Sequence, residues 1–291
     1  MLEIVNIRVK SFELDYLDLF WELEPTSEDV NDYSFVVEKS YSEFGPFSDL
    51  TKPFKNRFHL RDNTVRGQHS FYNKSFYRIR LVHDTSKNST TFPKSGAGVK
   101  LAALPDLAAL EMARMERLKL KEFKGRKLWV FPRKTFGQRC KCYDAVTSRK
   151  LRSSCPSCFD TGWAGGYDRP LEVFGQIIEP AEFTAKSPLG EIEQQNTVGY
   201  FPNYPEVHEG WVIVEAENIR WRVGPQIVKV RKARALVRQE VQLHRIPAGD
   251  VEYSLPVNVG DLGSLVATPT RNLVNPQTLD ASKVIDKALG L

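Results

Sequence analysis

The sequence predicts a mainly β protein in which two β-rich modules flank a helical linker and a cysteine-rich knot. Short runs of alternating apolar and polar residues occur in both halves of the chain, and clusters of turn-forming residues separate them. All four cysteines fall within nineteen residues near the middle. We therefore divide the 291 residues into five segments, with bounds at 1–95, 96–134, 135–167, 168–255 and 256–291.

The first segment, residues 1–95, is predicted to be a β-sandwich. Three runs place apolar side chains at every second position, which gives each strand one face for a core. Proline and glycine mark turns at residues 25–29 and 45–47. Short strands joined by such turns are typical of two packed sheets. The alternating apolar residues are Leu17, Leu19 and Trp21, then Tyr33, Phe35 and Val37, then Tyr77, Ile79 and Leu81.

These residues resemble a fibronectin type III domain. The sequence Leu-Asp-Leu-Phe-Trp at residues 17–21, followed by Pro25, is similar to strand B of that family. Residues 33–40 are similar to strand C, and Gly-Pro-Phe follows at 45–47. The resemblance makes Tyr77 the corner tyrosine at the start of strand F. It assigns no residues to strand E.

The second segment, residues 96–134, is predicted to contain a hinge, a helix and an extended connector. Pro105 and Asp106 open the helix, because proline suits its first turn and an acid suits the positive end of the helix dipole. Gly125 marks its end, and the apolar residues 128–131 follow as the connector. Four apolar residues are predicted to share the packed face of the helix, namely Leu107, Leu110, Met115 and Leu118.

The third segment, residues 135–167, carries the cysteines as two close pairs separated by twelve residues. Two close pairs joined by a short loop supply the four thiolates of a tetrahedral zinc site. Because all four ligand positions are then protein sulfur, the predicted zinc is structural rather than catalytic. Its binding would hold a segment that is too short to build its own core. The predicted zinc ligands are Cys140, Cys142, Cys155 and Cys158.

Two other states of the cysteines remain open from the sequence, namely two disulfides or four unligated thiols. Disulfides belong to oxidising compartments, whereas the N-terminus lacks the basic head and apolar run of a secretion signal. We therefore expect a protein made in a reducing cytoplasm. The most apolar stretch, residues 101–110, is interrupted by Pro105 and Asp106, so no membrane span is predicted.

The fourth segment, residues 168–255, is predicted to be a small β-barrel, because short strands follow one another closely. Residues 179–205 are polar with few strand signals, and we interpret them as a functional loop or an arm that docks on a partner. The last segment, residues 256–291, contains three prolines and is predicted to be an extended arm. The candidate strands cover residues 171–178, 211–217, 219–223, 227–232 and 236–245.

Charge is distributed unevenly along the chain, whose net charge is +5. Residues 1–32 carry nine acidic groups against Arg8 and Lys10, whereas residues 114–152 carry fourteen basic groups against three acidic ones. We interpret the basic stretch as a surface that contacts nucleic-acid phosphates or an acidic neighbouring subunit, or that balances the zinc–thiolate charge. The candidate contact residues are Arg139, Lys141, Arg149, Lys150 and Arg152.

Known catalytic motifs are absent from the sequence. It has no phosphate-binding loop of the G-x-x-x-x-G-K-[ST] type, no G-x-S-x-G elbow and no H-E-x-x-H. The five histidines are scattered, and none lies at ligand spacing from another or from the cysteines. We therefore expect a protein that is not an enzyme.

The predicted strands around residues 211–223, and the sequence Arg-Ile-Pro-Ala-Gly-Asp-Val-Glu-Tyr at 245–253, resemble part of a tailed-bacteriophage neck protein. The similarity is to the head–tail connector, stopper or adaptor kind. It implies a virion protein, assembled in the host cytoplasm, that forms a ring of identical subunits. Its partners would be other copies of itself and the portal or adaptor and tail proteins, and DNA would pass through the ring.

Two other functions are compatible with the sequence. A nucleic-acid-binding zinc protein would use the basic residues near the cysteines for phosphate contacts, and its binding would depend steeply on salt. A carbohydrate-contacting surface protein would use the fibronectin-like module alone. Formation of large rings separates the structural hypothesis from both alternatives.

Overall fold

The fold is mainly β, as the sequence predicts. Within the described residues, a computed structural model contains seventeen strands, one α-helix and a few short helical turns. None of these helices has the length and hydropathy needed to cross a bilayer. The residues that the structure describes are 2–26, 28–65, 75–102, 106–144, 149–151, 154–178, 184–187, 190–193, 196–233 and 235–256.

Seven strands form the N-terminal sandwich, namely β1 (Ile4–Lys10), β2 (Leu17–Leu23), β3 (Tyr33–Ser40), β4 (Ser48–Asp49), β5 (His59–Asp62), β6 (Phe76–His83) and β7 (Ser89–Phe92). One sheet has the order β1-β2-β5 and the other has the order β4-β3-β6-β7. Neighbouring strands are antiparallel throughout. The three alternating runs of the sequence are β2, β3 and β6.

The apolar faces of the two sheets meet in one core. Leu19, Trp21 and Ile79 are at most 1% exposed and belong to the same buried cluster. The alternation predicted for β2 is therefore confirmed. Its polar position Asp18 is also buried, but on the other face, where its carboxylate accepts a 2.9 Å hydrogen bond from Arg61 Nε.

The fibronectin-like comparison left strand E unassigned, and β5 now occupies the edge position beside β2. Only one of its four residues is aliphatic, which explains why no strand was predicted there. Its last residue, Asp62, accepts hydrogen bonds from Tyr77 Oη at 2.7 Å and from Lys39 Nζ at 2.9 Å. The predicted corner tyrosine thus bonds to a buried carboxylate that links the two sheets.

The helix α1 (Leu107–Lys119) begins where the sequence indicates. Asp106 caps it by accepting hydrogen bonds from the backbone N–H groups of Ala108 and Ala109. A π-helical turn, Leu120–Lys124, continues it to Gly125. Glycine is required there because a Cβ atom would lie 2.2 Å from the carbonyl oxygen of Leu120.

The prediction of the packed face of α1 was wrong for three of its four residues. Leu110 is buried, whereas Leu107, Met115 and Leu118 are exposed. Ala109 and Ala113 are buried beside Leu110, because small side chains allow the helix to approach the barrel closely. The hinge before the helix is also fixed at residues 96–99, where Val99 and Tyr77 exchange two backbone hydrogen bonds.

Ten further strands follow, namely β8 (Arg126–Phe131), β9 (Tyr143–Asp144), β10 (Arg149–Lys150), β11 (Leu171–Ile177), β12 (Thr184–Ser187), β13 (Gly190–Glu193), β14 (Asn196–Pro202), β15 (Val212–Val214), β16 (Arg220–Lys232) and β17 (Ala235–Arg245). Six of them close a barrel in the order β8-β11-β14-β17-β16-β15. The barrel core contains fully buried apolar side chains such as Leu128, Phe201, Val241 and Leu243.

The barrel differs from the predicted one in three strands. Residues 128–131, predicted as a connector, belong to β8, which pairs with β11 and β15, so the barrel begins well before residue 168. Residues 196–202, predicted as part of a loop, form β14, and the hairpin β12–β13 lies in the same region. The two candidate strands 219–223 and 227–232 are one bulged strand, β16, which begins at Arg220. Each error concerns pairing between distant segments, which local patterns do not reveal.

The chain leaves the barrel through a 3-10 turn, Val251–Ser254. Arg220 Nη1 donates to the carbonyl oxygens of Glu252 and Leu255, at 2.8 and 3.0 Å, so this turn is fixed to β16. The predicted arm of residues 256–291 lies outside the described residues except for Pro256.

Candidate metal centre

The cysteine knot is an insertion between two neighbouring strands of the barrel. β8 and β11 pair directly, and the chain segments that leave them continue to pair as a two-stranded stem. In that stem, Asp168 N donates to Pro132 O at 2.8 Å and Lys134 N donates to Gly166 O at 3.0 Å. The knot therefore extends from a rigid part of the barrel.

Two turns of the knot bring the cysteines together. In the first, Tyr143 N bonds to Cys140 O, and the short strands β9 and β10 pair as a hairpin. In the second, the side chain of Asp160 accepts a 2.9 Å hydrogen bond from Cys155 N. Asp160 has a φ of 59° and Gly162 a φ of 81°, which makes the turn tight enough for Gly162 O to accept from Cys140 N.

The four sulfur atoms form a cluster that can hold one metal ion. They all lie within 4.8 Å of one another, and the Sγ–Sγ distances are 3.9 Å for Cys140–Cys155 and 3.4 Å for Cys142–Cys158. A tetrahedral ion with metal–sulfur bonds of ~2.3 Å requires sulfur–sulfur distances of ~3.8 Å. The observed distances fit this geometry, whereas a disulfide needs ~2.05 Å. All four cysteines are unbridged.

Burial makes the thiols of the cluster unequal. All four cysteines are at most 8% exposed. Burial raises the pKa of Cys142 far above its ordinary value. Burial also raises the pKa of Cys155, but the backbone N–H groups of Cys158 and Ser157 outweigh this effect and lower it to about 7. Four buried sulfurs facing one point are the donor set that a soft divalent cation stabilises as thiolates.

The knot also contacts the sandwich. Phe136 packs edge-on against Phe58 of the sandwich, with ring centroids 5.0 Å apart. The backbone of Thr26 exchanges hydrogen bonds with Gly137 and Arg139. No local sequence pattern indicates these contacts, because Phe136 lies more than forty residues from any strand of the sandwich.

The five basic residues predicted near the cysteines have different environments. The guanidinium of Arg139 is stacked between the rings of Tyr143 and Trp163, at 4.5 and 3.8 Å from their centroids, so it supports the knot. Lys141 and Arg149 are exposed, and no described acidic side chain pairs with either. Lys150 is part of β10, with only its backbone described, and Arg152 lies outside the described residues.

The acidic N-terminal region and the basic stretch meet within one chain. Glu13, in the loop between β1 and β2, forms an ion pair with Arg117 of α1. Both residues line a cleft of about 350 Å³ between the helix and the barrel. Arg117 therefore has its acidic partner within its own chain and does not need one from a neighbouring subunit.

Comparison with known protein families gives no match, and none of the curated proteins matches this chain.

Proposed function

We propose that the protein is a structural subunit of a tailed-bacteriophage virion that assembles into a ring in the neck and joins the portal or adaptor to the tail. DNA passes through this ring. The observation that carries the proposal is the direct attachment of the sandwich, the barrel and the metal knot to one another. Contacts among all three parts suit a subunit that transmits load during DNA packaging and ejection.

The attachment of the sandwich to the barrel involves hydrogen bonds, ion pairs and ring packing. Asn203 Nδ2 donates to the carbonyl oxygen of Phe12 at 3.0 Å. The ring of Phe12 packs edge-on against Tyr204, with centroids 5.1 Å apart. Lys10 of β1 forms a 2.5 Å ion pair with Glu206. These contacts join the loop after β1 and the strand β1 itself to the barrel, and they support the proposed load-bearing role.

An exposed apolar face on α1 and the turn after it favours assembly. Its members lie on the side opposite the buried Ala109, Leu110 and Ala113. A monomeric soluble protein rarely leaves several large apolar side chains together in water. In the proposed ring, this face contacts a neighbouring copy. The exposed residues are Leu107, Met112, Met115, Leu118 and Phe123.

We further propose that the bound metal is zinc and that its role is structural. Four cysteine ligands are typical of structural zinc sites, and they leave no coordination position for water or substrate. Elemental analysis of the protein purified without chelator is expected to give one zinc ion per four cysteines. A folded protein that contains no metal, or that contains iron instead, would contradict this assignment.

Electron microscopy and mass photometry of the purified protein test the ring. We expect closed rings, either with the protein alone or after mixing with its neck partners. Met115→Glu should reduce ring formation because it places a charge on the apolar face, whereas Thr85→Glu in an exposed turn of the sandwich should not. Purified particles that lack the protein would contradict the proposed virion location.

A nucleic-acid-binding zinc protein is the second candidate. The observation that favours it is the pair of exposed cations on the knot, Lys141 and Arg149, for which no described acidic partner exists. Under this alternative the protein is a monomer or dimer that binds DNA at low salt through the knot. Substituting both residues with glutamine should then abolish most of the binding.

A further inference from the structure

A second cationic surface lies on the barrel, far along the chain from the cysteines. Between residues 218 and 239 the sequence has seven lysines and arginines and no acidic residue. Six of them lie on β16 and β17, whose hairpin remains paired to Lys232 and Ala235, and Arg234 lies outside the described residues. The seven cations are Arg220, Arg222, Lys229, Arg231, Lys232, Arg234 and Arg238.

The two cations nearest the start of the hairpin have structural partners. Arg220 donates to backbone carbonyls of the exit turn, and Arg222 forms ion pairs with Asp250 and Glu252. They are therefore not available to a ligand. In the outer half, Arg238 forms a 2.8 Å ion pair with Glu240 of the same strand. Lys229, Arg231 and Lys232 remain in this half, near the end of the hairpin.

The outer half has more positive charge than its acidic partners can balance. The carboxylate of Glu206 faces three cations, with distances of 2.5 Å to Lys10, 2.8 Å to Lys229 and 3.5 Å to Arg231. Burial raises the pKa of Glu206, but the hydrogen bonds from Lys10 and Lys229 outweigh it and lower the pKa to about 2. The carboxylate is thus fully charged at neutral pH, and the group of four still carries an excess of two positive charges.

The end of the hairpin adds further charge. Lys232 is exposed, and no described acidic side chain pairs with it. Arg231 is also largely exposed, with 45% of its side chain accessible. β15 pairs with β16 at residues 220–222, and among the described strands β17 alone pairs with the part of β16 beyond them. The backbone edge of the outer part of β16 is therefore unpaired among the described residues.

We propose that this outer half of the β16–β17 hairpin, together with Lys10, binds the phosphate backbone of duplex DNA. Arg231 and Lys232 are exposed at its end, and Val228 is the one large apolar side chain exposed on the described part of the hairpin. A surface of this composition lacks the apolar centre of a protein interface. Lysine and arginine contact phosphates without reading bases, so the binding is expected to be independent of sequence.

The proposal rests on the proposed function in one respect, because it assumes that DNA comes close to the assembled subunit. The two can fail separately. DNA binding is measured on the isolated chain by fluorescence anisotropy, whereas ring formation is measured by imaging. A protein that forms rings but does not bind DNA would overturn only the present inference.

The test compares two double variants that each remove two positive charges. Arg231→Gln with Lys232→Gln changes the hairpin, and Lys141→Gln with Arg149→Gln changes the exposed cations of the knot. The probe is a fluorescein-labelled DNA duplex of about 30 base pairs and mixed sequence, titrated at several salt concentrations from about 50 mM upward. Thermal unfolding checks that both variants are folded, as their exposed positions predict.

The hairpin variant should weaken binding roughly tenfold or more and reduce the slope of log K against log salt by about two. The knot variant should cause a smaller loss. Glu206→Gln provides a change of opposite sign, because it removes the carboxylate from the cationic group and should tighten binding. No binding by the wild-type chain at low salt, equal losses in both double variants, or a loss confined to the knot variant would each overturn the proposal.

Discussion

The two β-modules and the cysteine knot are stabilised in different ways. The sandwich and the barrel each bury a large cluster of apolar side chains from several strands. Within the described residues, the buried cluster inside the knot contains the four cysteines. Hydrophobic burial stabilises the two modules without a ligand, whereas the proposed metal ion would stabilise the knot by neutralising its sulfurs. We therefore expect the sandwich and the barrel to fold without metal, whereas we expect the knot to need it.

The largest expected effect is that of removing one metal ligand. Cys155→Ser should release the metal, because serine is a poor ligand for a soft cation, and the knot should then unfold locally. Metal binding contributes on the order of 10–16 kcal/mol in zinc-finger peptides, which far exceeds any other contribution within the knot. Limited proteolysis should show new cleavage within residues 135–167, and elemental analysis should show loss of metal.

Ser157→Ala is the matched control for this experiment. Ser157 lies in the same turn with an exposed side chain, and its backbone N–H group, which bonds toward Cys155, remains in the variant. The control should keep its metal and its protease resistance. If Cys155→Ser also remained resistant, the knot would have a source of stability other than the metal, and the contrast between the two kinds of region would be lost.

The second effect concerns the sandwich core. Trp21 is 1% exposed and packs near Phe35 and Phe54. Trp21→Ala should lower the free energy of unfolding by about 3–5 kcal/mol in urea denaturation, because it leaves a large cavity, while the metal content stays unchanged.

Trp21→Phe separates the loss of volume from the loss of a polar group. Trp21 Nε1 is buried, and no described acceptor lies within hydrogen-bond distance of it. Phenylalanine removes this unsatisfied donor and retains much of the ring, so its cost should be well below that of alanine. If both variants lost the same unfolding free energy, a phenyl ring would not replace the packing of the indole at this position.

The sequence predicts most of what depends on local pattern. The alternation at Leu17, Leu19 and Trp21 identifies a real strand, and Asp106 identifies the helix start. The spacing of the cysteines identifies a cluster whose geometry fits a metal ion. In each of these cases, a few neighbouring residues determine the outcome.

What the sequence does not predict depends on distant contacts. The strand β14 contains Gly199, where a Cβ atom would lie 2.7 Å from the ring of Phe201 and 2.8 Å from Leu243. Glycine is needed there because side chains of the barrel fill that space, yet in the sequence it indicates a loop. In the same way, nothing near Phe136 indicates that its ring packs against the sandwich.

The third effect is the pH dependence of the ion pairs that Glu206 of the barrel forms with Lys10 of the sandwich and with Lys229. The pKa of Glu206 is lowered from 4.5 to about 2 in the folded protein. Its contribution to stability is therefore complete above about pH 4.5 and is lost as the pH falls toward 2. The side chain is only 17% exposed, so the contribution is on the order of 2–3 kcal/mol. Glu206→Gln should lack this part of the acid dependence.

The measurement is the difference in unfolding free energy between wild type and Glu206→Gln at a series of pH values. Loss of metal from the protonated thiols affects both proteins equally and cancels in the difference. The difference should be largest near neutral pH and should approach zero as the pH approaches 2. A difference that does not change with pH would mean that the ion pairs with Lys10 and Lys229 contribute nothing measurable.

The smallest effect concerns the contact between the two kinds of region. Phe136→Ala removes the ring that joins the knot to Phe58 of the sandwich, and we expect a cost of about 1–2 kcal/mol because the side chain is only partly buried. Metal content should not change.

Combining Phe136→Ala with Cys155→Ser then gives a double-mutant cycle. If the metal holds Phe136 in place, the ring is already displaced in the cysteine variant, and the second substitution should cost less there than in the wild type. Full additivity would mean that the sandwich and the knot are stabilised independently despite their contact.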